Sequence, residues 1–386
     1  MYYNELCGEK VSALGFGAMR LPETEVADEA GVLRKDVDEA AVEQMVDYAI
    51  EHGVNYFDTA WGYHGGKSEV VLGKALGKHD RGSYFLTDKF PGYDVSNFGK
   101  HEQIFAQQLE RCGVDRFDFY LFHNVCELNI EQYMAEDKLH TAEFLVAQRD
   151  AGRIGHLGFS AHGSLKVIQR FVRKFGDILE FAQLQVNWMD WDFQEARNKV
   201  AFLKGQGIPV IVMEPLRGGR LVNLDDRSMS ELEALCPGQT AAEWSFRFLQ
   251  GIDGLPLTLS GMSDMQQLQQ NIATYDSRRP LDDAQAEALM GIGERLASKD
   301  AVPCTRCSYC VTHCDHHLNI PELLALYNEH MSTGGKGFIA PMALGGMKEN
   351  KRPSACVGCR SCEYVCPQEI KISDIFTKMQ NEISVW

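Results

Sequence analysis

Eight short runs rich in β-branched and aromatic residues alternate with stretches of helical spacing along the first two thirds of the chain. They span 11–17, 54–60, 83–90, 117–123, 154–161, 181–188, 208–215 and 255–261. Between them, 38–52 repeats Ala41, Met45, Ala49 and Ile50 at helical intervals, and 67–76, 101–111, 164–175 and 193–204 read likewise. Gly53, Gly113, Gly152 and Gly207 close such stretches, as expected where a left-handed residue satisfies the last helical carbonyls. This alternation implies an α/β chain with a parallel sheet. Roughly eight units in ~250 residues suit a closed (β/α)8 TIM barrel. An open doubly wound sheet is the alternative. It would carry a GxGxxG turn after its first strand, where Gly15-Phe16-Gly17-Ala18-Met19 stands instead.

The segment 281–297 reads as a closing helix, and composition changes near Pro303. The expected division is a barrel over 1–300 and a small, mainly helical domain over 301–386. Within the latter, 320–330 (IPELLALYNEH) reads as helix and the Gly- and Met-rich 334–350 as loop.

Eight of the twelve cysteines lie in this second part. The first run is Cys304-x2-Cys307-x2-Cys310-x3-Cys314, and the second is Cys356-x2-Cys359-x2-Cys362-x3-Cys366-Pro367. Nothing in the sequence signals the oxidising compartment that a disulfide framework needs. Zinc is met by paired Cys-x-x-Cys knuckles and has no use for the third and fourth cysteines of each run. The spacing is that of ferredoxin-like iron–sulfur domains, in which the last cysteine of each run ligates the other cluster. Two [4Fe–4S] clusters are therefore expected, one on Cys304, Cys307, Cys310 and Cys366, the other on Cys356, Cys359, Cys362 and Cys314. The first run has Asp315 where the second has its proline, and a turn role suffices for it.

Net charge is −16, which disfavours nucleic acid and anionic membranes as partners. Residues 301–386 hold 8 basic and 8 acidic residues, so the acidity belongs to the barrel. There is neither a secretory signal at the N-terminus nor an apolar run of membrane-spanning length, so a cytoplasmic protein is expected.

Four ionisable residues fall at the C-terminal ends of successive candidate strands, or in the loop after one: Asp58, Tyr63, Lys89 and His123. That is the barrel face where active sites are built. Singly they read as a cap, a half-buried aromatic, a surface charge and a core histidine, but four on one face point to chemistry. Here the sequence resembles the aldo-keto reductase family, whose catalytic tetrad is Asp, Tyr, Lys and His in this order, over about Val11 to Asn271. The resemblance implies that Tyr63 exchanges a proton with a carbonyl oxygen or alcohol. Its ordinary pKa of about 10 would be lowered by Lys89, itself held by Asp58. His123 would orient the carbonyl, and NAD or NADP would supply the hydride.

The resemblance also implies dinucleotide contacts from Ser160, Gln185, Met213, Pro215, Leu216, Gly218, Gly219, Gln267 and Asn271. Three departures matter. Ala161 replaces an asparagine, so that either His162 substitutes or the contact is absent, and Met213 replaces a stacking tyrosine. Gly261 and Gln267 replace the basic residues that hold a 2′-phosphate, which implies weaker discrimination between NADP and NAD; Arg217 and Arg220 are alternative cations. The fusion as a whole resembles a branch of aldo-keto reductases with a C-terminal ferredoxin-like domain.

An oxidoreductase interconverting a small-molecule carbonyl and alcohol is thus expected, its clusters passing electrons to or from a ferredoxin-type carrier. No flavin motif is visible to split an electron pair. Two alternatives remain: a reductase with structural or redox-sensing clusters, and a non-enzymatic partner protein on a retired barrel. Trp61, Tyr93, Trp188 and Trp191 at loop tips are candidates for the substrate pocket or for packing.

Overall fold

The computed structural model describes residues 1–27, 33–298, 301–304, 307–308 and 310–385. The eight runs become eight parallel strands of one closed barrel: β1 (Leu14–Gly17), β2 (Tyr56–Asp58), β3 (Phe85–Phe90), β4 (Phe117–Val125), β5 (Ile154–Ala161), β6 (Phe181–Gln185), β7 (Val210–Met213) and β8 (Leu257–Gly261). Each pairs with its neighbour in chain order, and β8 closes on β1 with Leu259 opposite Gly15. The strands read as nearly continuous apolar runs because both faces are covered. Inside the barrel, Tyr56, Phe119, Leu121, Phe181, Ile211, Leu257 and Leu259 pack together. Outside, residues such as Leu14, Leu86, Phe122 and Val212 meet the apolar faces of the helices.

The helices start and stop where their sequences provide caps. Asp38 accepts from the Ala41 amide at 3.0 Å to begin Glu39–Glu51, and Asp264 accepts from Gln267 at 2.8 Å to begin Met265–Thr274. Gly53, Gly113, Gly152 and Gly207 all take the expected left-handed φ.

The run 11–17 is two elements rather than one. Tyr3–Leu6 and Glu9–Ser12 form an antiparallel hairpin across the barrel's N-terminal floor, where Leu6 and Val11 join the interior core. The break falls at Ala13 because Ser12 is tied sideways to Asn55, donating to its Oδ1 at 2.7 Å and accepting from its amide at 3.1 Å. A second hairpin, Glu23–Ala27 with Leu33–Val37, was not foreseen. Its strands are exposed except at Asp36 and Val37 and carry no alternating apolar pattern.

Beyond the closing helix Asp283–Ser298, a small core gathers Leu318, Leu323, Leu324, Tyr327, Ile370, Ile372, Phe376 and Met379, with Cys310 and Cys362 among them. Ile320–Ser332 is helical as expected, but the predicted loop 334–350 contains a helix, Ile339–Gly346. Glycines frame this stretch rather than fill it, and Ala340, Met342, Ala343 and Leu344 are buried. Gly346 lies so close to Glu127 that a Cβ there would come within 2.6 Å of its carbonyl carbon. The helix therefore sits on the loops at the C-terminal mouth of the barrel. No helix among the described residues is long and apolar enough to cross a membrane.

Candidate functional site

Asp58 ends β2, and parallel pairing sets it beside Thr87 of β3, two residues before Lys89. Lys89 Nζ donates to Asp58 Oδ1 at 2.7 Å, to the Thr59 carbonyl at 2.7 Å and to the Tyr63 hydroxyl at 3.4 Å. Gln183 adds a donor to the other Asp58 oxygen at 3.4 Å. Tyr63 is held by a tight turn in which His64, Gly65 and Gly66 all have positive φ. His64 accepts from the Leu21 amide at 3.0 Å and so pins that turn to the end of β1. The His123 ring meets Tyr63 edge-on at 6.2 Å and Tyr93 at 5.2 Å. The structure thus brings all four tetrad candidates together.

Burial governs their protonation. It opposes the Lys89 ammonium, but Asp58 and Tyr63 outweigh it and hold the lysine charged. Burial also raises Tyr63, and the opposing pull of Lys89 only partly offsets it. The expected net lowering of the phenol is therefore not what this geometry gives. His123 is driven well below its ordinary value by burial and then by Lys89, so it is neutral. Behind Lys89, Gln108 donates to its backbone carbonyl at 3.0 Å and accepts from Tyr120, which fixes the strand end.

The mouth above the tetrad is shared between the two parts of the chain. Met342 Sδ lies 4.0 Å from the Asn124 side-chain Nδ2, and Phe338 meets the His162 ring edge-on at 4.7 Å. Three buried atoms beneath them, His123 Nδ1, Asn124 Oδ1 and His162 Nδ1, have no hydrogen-bond partner among the described residues. Burial pushes His162 down to about 4. Of the four loop-tip aromatics, Tyr93 meets the tetrad through the His123 ring. Trp188 is core and donates to Ser245, while Trp61 and Trp191 stack on Arg111 and Arg197.

The residues expected to hold a dinucleotide line one side of this mouth. Ser160 accepts from the Asn124 amide at 2.9 Å, and Gln185 donates to Asp190 at 2.8 Å. Met213 is paired opposite Gln185. Pro215 and Leu216 lead into Gly218 and Gly219, whose positive φ (67° and 88°) opens the loop that follows β7. Asn271 donates to Ser260 at 3.2 Å, and Gln267 caps its own helix by accepting from Ser263 and donating to Asp264.

Arg217 is not available as a phosphate cation. Its guanidinium is buried and donates to Asp190 at 3.1 Å, Glu329 at 2.7 Å and Ser332 at 3.2 Å. Gln194 also bonds Glu329. Arg20 was missed from the sequence. It is exposed, and its side chain spans Gly218 and Gly261, so that a Cβ at either would come within 3.0 and 3.2 Å of it. Its place directly after β1 was the available signal.

In the small domain, Cys304, Cys307, Cys310 and Cys366 line one cavity together with Leu324, Ile370 and Ile372. Four sulfur donors around an apolar hollow fit a cubane cluster. The Val311–His313 turn, which leads into Cys314, packs on the Ser361–Tyr364 helix and carries the end of the first run to the second.

The sequence profile of the aldo/keto reductase family matches residues 13–294, and that of the 4Fe-4S dicluster domain matches 303–371. L-galactose dehydrogenase of Arabidopsis thaliana is 27% identical over 290 residues, which cover 69% of this chain and 85% of that protein. A Glycine max protein named "Probable aldo-keto reductase 1" is 26% identical over 221 residues, 55% of this chain, and the chain spans 58% of the soybean protein. An aldo-keto reductase structure from Klebsiella pneumoniae, in complex with NADPH, superposes with a TM-score of 0.58 at 20% identity over 75% of this chain and 94% of that one, a likeness of fold alone. With a barrel profile covering most of its length, the chain belongs to the aldo/keto reductase family of oxidoreductases and carries a 4Fe-4S dicluster domain behind its barrel.

Proposed function

We propose that the protein interconverts a small-molecule carbonyl and alcohol with NAD or NADP, and that Tyr63 is the acid–base residue. The observation that carries this is the Lys89 ammonium, buried between Asp58 and the Tyr63 hydroxyl at 2.7 and 3.4 Å. A bound nicotinamide would supply or accept the hydride. Tyr63 gives its proton to the carbonyl oxygen in reduction and takes it back in oxidation. Lys89 steadies the phenolate left behind, and Asp58 keeps the lysine charged and aimed. Neutral His123 donates one hydrogen bond to the developing alkoxide. Ser160 and Gln185 would hold the nicotinamide amide, with Met213 against the ring. Pro215, Leu216, Gly218 and Gly219 would border the pyrophosphate, and Gln267 and Asn271 the adenosine. Arg20 supports a further phosphate contact. Tyr63→Phe should lower kcat/KM for carbonyl reduction by about 10²–10⁴-fold; undiminished turnover would sink the assignment.

The small domain, 301–386, holds two [4Fe–4S] clusters in this reading, on the crossed cysteine sets, and when bound they supply one-electron transfer. A ferredoxin-type carrier in the cytoplasm is the proposed partner. A second reading, in which the clusters are structural or redox-sensing, is favoured by Cys310 and Cys362 lying inside the small core. Anaerobic titration with NADH and then NADPH, followed by EPR, separates the two. A reduced-cluster signal supports conduction. Its absence, with normal carbonyl turnover, supports the second reading, and the KM values identify the preferred nucleotide.

A further inference from the structure

At the floor of the barrel, opposite the tetrad, the Cys7–Gly8 turn of the first hairpin faces β5 and the start of β6. Cys7 holds a φ of 55°, a conformation that residues with a side chain seldom adopt. One ligand atom from each of Cys7, His156 and Glu180 falls within 4.8 Å of the others, and all three residues are half-buried. His156 Nδ1 is 2.7 Å from Glu180 Oε2, and His156 Nε2 is 4.0 Å from Glu9 Oε1. The remaining Glu180 oxygen accepts from the Leu157 amide at 3.2 Å and has Arg149 at 4.0 Å, which leaves Oε2 to face the histidine. The Cys7 thiol donates to the Glu180 backbone carbonyl at 3.6 Å.

We propose that Cys7, His156 and Glu180 form a zinc site that ties the hairpin to the barrel, with Glu9 orienting the histidine. Zinc–sulfur and zinc–nitrogen or –oxygen bonds of about 2.3 and 2.0 Å set tetrahedral ligands roughly 3.3–3.5 Å apart. Shifts of about an ångström or less bring the three atoms into that range. A thiolate, an imidazole and a carboxylate suit zinc, whereas magnesium and calcium seek oxygen alone. With Nδ1 on the metal, Nε2 is left 4.0 Å from Glu9 Oε1, and a small shift of that exposed carboxylate would complete a carboxylate–histidine–zinc arrangement. All three residues are only half-buried, which leaves a fourth position open to a water ligand.

The test uses the full chain with its iron–sulfur centres assembled anaerobically, equilibrated with zinc and then dialysed. Elemental analysis should find about one zinc per chain. Zinc-edge EXAFS should show one sulfur and three nitrogen or oxygen neighbours. Cys7→Ser and His156→Ala should lose the zinc at unchanged iron content and unchanged carbonyl turnover. Zinc absent from the wild type, zinc with four sulfurs, or zinc retained in both variants would each overturn the proposal. Should the variants fail to fold, the wild-type sulfur count decides.

Discussion

Arg217 and Glu329 lie 112 residues apart in sequence, yet their side chains meet at 2.7 Å, both almost wholly buried. The bond joins the glycine loop after β7 to the Ile320–Ser332 helix, and so couples the side of the mouth proposed to take the dinucleotide to the small domain. Removing one partner of a buried pair leaves an uncompensated charge, at a cost of about 3–5 kcal/mol. Asp190 still accepts from Arg217, so Glu329→Ala should fall near the lower bound, about 3 kcal/mol by anaerobic denaturant unfolding. The variant should also raise KM for the nucleotide with little change in kcat. A change in kcat alone would mean that the loop is positioned by something else.

Lys89→Met should lower kcat/KM by about 10²–10⁴-fold and also cost stability, since it leaves the buried Asp58 carboxylate without its cation. The lysine charge is what opposes the burial-driven rise of Tyr63. Without it, the phenol climbs further, and the alkaline limb of the pH–rate profile should move to higher pH. A limb that stays in place would assign it to another group.

Glu214 offers a pH test of stability. Burial, and then the charge of Asp190, raise its carboxyl from 4.5 to about 7. Between those values the folded chain keeps a proton that the unfolded chain has released. Its contribution to stability therefore falls as pH rises through that window and is level above it. Glu214→Gln removes this dependence, so the variant should gain on the wild type between pH 5.5 and 7.5 in urea midpoints. A difference independent of pH would refute it.

The crossed ligand sets predict an exchange of phenotypes. Cys366→Ala should disturb the cluster on the first cysteine run, and Cys314→Ala that on the second, as followed by iron content and EPR of each reduced variant. If each substitution instead affects the cluster of its own run, the crossing is wrong.

Much of this was legible in the sequence because it is local. The βα period, the glycine caps and the strand-end positions of Asp58, Lys89 and His123 follow from patterns a few residues long. The break at Ala13 was not, because it depends on Ser12 meeting Asn55. The Ile339–Gly346 helix was hidden by its glycines, since their position at its ends matters more than their number. Arg217 looked like a spare cation because neither Asp190 nor Glu329 is near it in sequence. The Cys7, His156 and Glu180 cluster is likewise assembled only by barrel closure.

The helix over the mouth has a consequence for maturation. The chain between Cys314 and Cys356 supplies Phe338 and Met342 to the ceiling above the tetrad. With iron bound across both cysteine runs, that ceiling is anchored at its two ends. A nascent chain still lacking iron would have its barrel and its tetrad, but a roof held by packing and by the bonds of Arg217 to Glu329 and Ser332, without its anchors at the two ends. Metal loading would then act as the last quality-control step in making the enzyme, and oxidative loss of iron would return it to its unfinished form.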